Sequence, residues 1–175
     1  MRIGPARVEV AAGDITRLDA EAVVIPANTM LWTGGGVAAL VRREGGDCIE
    51  NRAMAHAPMA VGTAVAVPGG NLRAGTVVHA VIAGQDLVVG ADGLAGAVGA
   101  ALPAAELSEC RSVAIPLMVG ETHALEMHVA ARVTVNAVIR HLLSHSRLQR
   151  IWLVEQEPMY EGVFAGALSE KFTDG

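Results

Sequence analysis

Short, almost wholly apolar runs alternate in this chain with stretches of helical period, and that alternation limits the folds open to it. TVVHAVIA at 76–83 and EAVVIP at 21–26 are such runs, and so are SVAIPL at 112–117 and RIWLV at 150–154. Strands this apolar along their whole length have no face to offer water, so they predict a sheet covered by helices on both sides. ARVEVA at 6–11 and TAVAVP at 63–68 add two further strands, the second joined to 76–83 through the turn Gly69-Gly70-Asn71. Between them, Leu125, Val129, Val133, Val138 and Leu142 mark a helix over 124–143. The stretch 36–57 reads as two helices split at Gly45-Gly46, and 158–172 as a last helix with Pro158 near its first turn. The stretch 91–108 reads as a helix that Pro103 should end or kink.

Length and composition narrow the function. The 175 residues predict one domain spanning 1–175, large enough to stand without metal or disulfide staples. Apolar residues make up 52% and charged ones 18%, which argues against disorder. The net charge is −5, Lys171 is the one lysine, and no basic run occurs, so duplex nucleic acid is not an expected partner. A small anion is compatible with this balance, because backbone N–H groups at a glycine loop or helix start hold phosphate without cations. Cys48 and Cys110 have no metal-ligand spacing and read as reduced thiols of a cytoplasmic protein. MRIGPARVEV has no apolar stretch after its basic residue, and no run reaches membrane-spanning length.

Ligands of open α/β sheets bind at the carboxyl ends of parallel strands. That directs attention to the loops after Ala12, Pro26 and Pro116. The stretch from Gly13 to Gly46 is the richest. Gly13-Asp14-Ile15-Thr16 closes the first strand, Pro26-Ala27-Asn28 the second, and Gly34-Gly35-Gly36 opens a helix at Val37. Glycines there permit close backbone approach and leave first-turn N–H groups for an anion. Asp14 is an acceptor-only carboxylate suited to an exocyclic amine, and Asn28 both donates and accepts, which suits a sugar diol. Gly34-x-Gly36-x-x-Ala39 also matches a dinucleotide fingerprint, but five residues separate Asn28 from Gly34 and no later strand carries the acidic partner.

These pieces resemble the macro-domain family, in which a GDIT motif, a strand ending in an asparagine and a GGGV helix start follow one another. The counterparts here are GDIT at 13–16, IPAN at 25–28 and GGGV at 34–37. TAVAVPGGNLRAGTVVHAV at 63–81, SVAIP at 112–116 and RIWLV at 150–154 extend the similarity over nearly the whole chain. The resemblance implies a three-layer α/β/α sandwich with a mixed, mostly parallel sheet of about six strands. It implies ADP-ribose as ligand or substrate, with no other cofactor and no metal. Asp14 and Ile15 would take adenine, Asn28 the distal ribose, and Gly34, Gly35, Gly36 and Val37 the diphosphate. Val119, Gly120, Glu121, Thr122 and His123 would form the second phosphate loop.

The sequence departs from that pattern at three places. Ala38 stands where many family hydrolases carry an aspartate, so Asn28 is the one catalytic candidate, as a residue that positions water. The second loop reads Gly120-Glu121-Thr122-His123, with no aromatic and with a carboxylate near the expected diphosphate. Glu155-Gln156 follow the last strand where an aromatic would pack on adenine. Trp32, between Asn28 and the glycines, is placed to cover a ribose or base instead. Three readings stay open: a hydrolase of mono-ADP-ribosyl, O-acetyl or phosphorylated ADP-ribose, a non-catalytic reader, and a macro fold that acts through another ligand or protein contacts. His79 reads as a satisfied core histidine, and His141 with His145 as an i, i+4 pair lacking a third metal ligand.

Overall fold

The computed structural model describes residues 1–119 and 124–172. Its sheet has seven strands, β1 (Arg2–Ile3), β2 (Ala6–Ala12), β3 (Ala22–Asn28), β4 (Ala64–Pro68), β5 (Thr76–Ala83), β6 (Ser112–Pro116) and β7 (Arg150–Glu155). They lie in the order β1-β2-β7-β6-β3-β5-β4. The inner five run parallel, and the two edge strands pair antiparallel. The seventh strand beyond the predicted six is β1, two residues held by Arg2 against Arg7 and Ile3 against Ala6, too short to carry a period.

Helices cover both faces, as the apolar strands require. α1 (Gly36–Gly45) and α2 (Cys48–Met54) lie on one side. Their Val37, Val41 and Ile49 bury against Val23, Ile25 and Val77. α3 (Ala91–Leu107), α4 (Met127–Leu142) and α5 (Val163–Phe172) lie on the other, where Leu94, Val98, Val135 and Phe164 meet Val24, Val78 and Ile115. Alanine dominates α3, so this helix approaches its neighbours closely. A Cβ on Gly96 would stand 3.0 Å from the Cα of Gly62.

The structure corrects four local expectations. Pro103 does not end α3, which runs on to Leu107 with Leu102 and Ala105 fully buried on either side. Packing on the sheet outweighs the one backbone hydrogen bond that proline forfeits. α4 stops at Leu142, and His145 lies beyond it with φ 66°, so His141 and His145 do not form a helical pair. His141 instead faces Glu106, with Nε2 to Oε1 at 3.3 Å. The last helical stretch is divided: Pro158–Tyr160 is a 3-10 turn, and Gly162 with φ 80° separates it from α5. His79 is 1% exposed in β5 between Ile25 and Val65, but its Nε2 has no hydrogen-bond partner among the described residues. It is buried without being satisfied, and desolvation pushes its pKa down to about 4.

Candidate functional site

Five parallel strands end at one edge of the sheet, and a cavity of about 380 Å³ opens there. That volume falls in the range of small-ligand sites. Its walls come from the loops after four adjacent strands. β3 supplies Asn28, Trp32 and Gly34–Gly36, and the start of α1 supplies Val37 and Ala38. β5 supplies Ile82, Ala83, Leu87 and Val89, and β6 supplies Leu117, Met118 and Val119. β7 supplies Gln156, Glu157, Met159 and Tyr160.

Asn28 organises the first wall. Its Oδ1 accepts the N–H of Met30 at 2.9 Å and of Trp32 at 3.4 Å, and its carbonyl accepts the N–H of Leu31 at 2.9 Å. Three successive amides thus fold back on one residue. This holds Leu31 buried at φ 62°, a backbone region that costs a branched side chain about 1–2 kcal/mol. The same turn leaves Trp32 half exposed on the cavity wall. The next residue is anchored from α2, where Thr33 N–H donates to Glu50 Oε2 at 2.6 Å and Arg42 braces Glu50 at 3.4 Å. The segment then enters α1 through Gly35, the helix cap, and Gly36 at φ 58°. First-turn N–H groups of a helix have no carbonyl partner within it, and the helix dipole adds positive potential there.

The opposite wall is tied down as firmly. Gln156 Oε1 accepts the Leu117 N–H at 3.1 Å, and its Nε2 donates to the Leu117 carbonyl at 2.9 Å. Glu155, 5% exposed, turns to the other side of β7 and receives the N–H of Gly162 and of Phe164, both at 2.8 Å. This carboxylate caps the start of α5 and fixes the loop that carries Tyr160. Burial, and then the charge of Glu157, push the Tyr160 hydroxyl above its ordinary pKa. Among the described lining residues Glu157 is the only charged side chain.

Of the residues singled out from sequence, Asn28, Gly34, Gly35, Gly36, Val37 and Val119 meet around this cavity. Asp14 and Ile15 stand one strand further along, after β2. Ile15 is fully buried. Asp14 Oδ1 accepts from the Thr16 N–H at 2.9 Å and hydroxyl at 2.6 Å, and Oδ2 lies 3.4 Å from Arg17. These partners, the Thr16 hydroxyl foremost, lower its pKa. Gly120, Glu121, Thr122 and His123 lie outside the described residues. Sequence reasoning missed the wall after β5 and, past Gln156, the β7 residues Glu157, Met159 and Tyr160. The signal was available, since both strands are parallel and their following loops must emerge at the same edge. Tyr160 was visible as an aromatic five residues past β7. No group of three metal-ligating side chains occurs among the described residues. No helix there is long and apolar enough to cross a membrane.

These features make the molecule an α/β/α sandwich with a ligand-sized cavity at the carboxyl ends of its parallel strands. A model of the Macro domain matches residues 24–134. An uncharacterized protein of Aquifex aeolicus is 36% identical over 132 residues, covering 75% of this chain and 80% of that protein. An uncharacterized protein of Aeropyrum pernix is 47% identical over 78 residues, which are 45% of this chain but only 41% of that relative's length. Among solved structures, the Oceanobacillus iheyensis macrodomain with ADP superimposes with a TM-score of 0.85 at 20% identity, covering 100% of this chain and 96% of its own. The chain belongs to the Macro domain family.

Proposed function

We propose that this chain binds ADP-ribose, or the ADP-ribosyl group of a modified molecule, in the cavity at the start of α1. The observation that carries the reading is the glycine-floored N-terminus of α1 beside Asn28, in a cavity whose described lining includes no Lys or Arg. An anion held there relies on backbone N–H groups and the helix dipole. The O. iheyensis macrodomain has been solved with ADP and, as a mutant, with ADPR. In this reading the diphosphate lies against Gly34–Val37 and Val119, the distal ribose at Asn28 and the adenine toward Asp14. The strand order supports that succession. The loops after β2, β7, β6 and β3 follow one another at about 4.8 Å per strand, as base, ribose, diphosphate and ribose follow one another in the ligand.

The reading is binding ahead of turnover. Ala38 is buried on the cavity wall and offers no base. Asn28 has already committed Oδ1 to two amides, so only its NH₂ group is left for a ligand. Hydrolysis of mono-ADP-ribosyl or O-acetyl-ADP-ribose esters would then need the substrate's own phosphate to orient water. The pair of free thiols, Cys48 and Cys110, supports a cytoplasmic setting for this binding. Calorimetry with ADP-ribose, paired with a release assay on ADP-ribosylated protein, tests the proposal. Saturable binding that Gly36→Val abolishes is the expected outcome. No binding at millimolar ligand would sink it, and release by the wild-type chain would move the reading to a hydrolase.

A further inference from the structure

The cavity has a second end, and two polar groups there are unspent. Given the reading above, on which this inference rests, a diphosphate at α1 sends the adenosine half along Leu117–Val119 toward the loop after β7. Tyr160 is 4% exposed and lines the cavity, and its hydroxyl has no hydrogen-bond partner among the described residues. The hydroxyl itself is not sealed from solvent, so it opens onto the cavity and is available to a ligand. Its raised pKa keeps the proton in place, so it stands as a donor. Glu157 lines the same end, is exposed, and makes no hydrogen bond or ion pair through its carboxylate among the described residues.

The neighbouring polar side chains are accounted for. Gln156 is spent on Leu117, and Glu155 on the start of α5. What remains is an acceptor-only carboxylate beside a hydroxyl donor. A vicinal diol complements that pair, because each of its hydroxyls both donates and accepts. Carboxylates recur as ribose 2′-hydroxyl readers in nucleotide sites, and an arginine replaces or joins them where a 2′-phosphate is accepted. Here no Lys or Arg lies among the described lining residues, so a 2′-phosphate would face Glu157 without a counter-charge.

We propose that Glu157 and Tyr160 form a subsite for the hydroxyls of the adenosine ribose, and that Glu157 selects ligands with a free 2′-hydroxyl over 2′-phosphorylated ones. Titration calorimetry of the wild-type chain, Glu157→Gln, Glu157→Ala and Tyr160→Phe with ADP-ribose and 2′-phospho-ADP-ribose tests this. The wild type should prefer ADP-ribose by about tenfold or more. Both Glu157 variants should narrow that preference, chiefly by binding the 2′-phosphate form more tightly. Tyr160→Phe should weaken both ligands about equally, with thermal melting showing that it folds. A preference that survives Glu157→Ala overturns the inference while leaving ADP-ribose binding intact. Equal or tighter wild-type binding of the 2′-phosphate form overturns it too. Failure of the wild type to bind either ligand overturns this inference and the binding reading together.

Discussion

Gln156 meets the backbone of Leu117 at both of its polar atoms, accepting at 3.1 Å and donating at 2.9 Å. A side chain leaving β7 thereby imitates one more rung of the β6–β7 ladder, beyond the point where the strands part. The wall formed by Leu117–Val119 is held by this pair together with the bond from Leu117 N–H to the Val154 carbonyl at 3.1 Å.

Gln156→Ala should therefore loosen that wall. Two hydrogen bonds of ordinary strength are lost, at about 1–2 kcal/mol of stability. ADP-ribose affinity should fall several-fold in the same variant, read by calorimetry. Gln156→Glu keeps the acceptor but loses the donor and sets a charge against the Leu117 carbonyl, so urea unfolding should show it no better than alanine.

Asn28→Asp and Asn28→Ala should separate the turn from the ligand contact. Aspartate keeps an oxygen for the Met30 and Trp32 amides, so thermal melting should stay near that of the wild type. It loses the donating NH₂ and adds a negative charge, so ADP-ribose binding should fall by about tenfold or more. Alanine should lose both binding and about 1–2 kcal/mol of stability.

Gly36→Ala tests the backbone at the helix start. Gly36 sits at φ 58°, and a Cβ added there would meet nothing within 4 Å, so the cost is conformational and not a clash. A loss of about 1–2 kcal/mol in chemical denaturation is expected.

Glu155→Gln should destabilise the chain by about 1–3 kcal/mol. The carboxamide can face only one of the two N–H donors, Gly162 and Phe164, with an oxygen, and sets its NH₂ against the other. Hydrogen exchange should locate the loosening at the start of α5 and in the loop that carries Tyr160.

His79 gives the pH dependence a defined sign. Its pKa falls from 6.5 in the unfolded chain to about 4 in the fold. Between those values the unfolded state binds more protons, so stability is full above about pH 6.5 and declines as pH falls toward 4. The loss attributable to this residue is on the order of 3 kcal/mol. His79→Leu should flatten the stability profile across that window in urea titrations. Glu9, Asp14 and Glu106, whose pKa values are also lowered, act in the same direction at more acidic pH.

Much of the site was legible because its signals are local. A glycine run before a helical period, and an asparagine closing an apolar strand, have their conformational consequences within a few residues. The family resemblance rested on the same segments, 13–16, 25–28 and 34–37. For Tyr160, Glu157, Leu87 and Val89 the parallel strands before them give the edge at which their loops emerge, but nothing near them in sequence says which loop lies across from them.

A covered α/β sheet, the Gly34–Gly36 entry into α1 and the candidacy of Asn28 can all be read from the linear chain. Apolar period and backbone freedom are properties of short windows, and short windows carry them whatever the rest of the molecule does. The place of β7 between β2 and β6 cannot be read that way, and it is this placement that carries Gln156 to Leu117 and Tyr160 to the cavity. The same holds for the commitment of Asn28 Oδ1, the burial of His79 and the passage of α3 through Pro103. Strand order and burial are set by crossovers packing over many residues. Whether a hydrogen-bonding group is free depends on what that packing brings beside it.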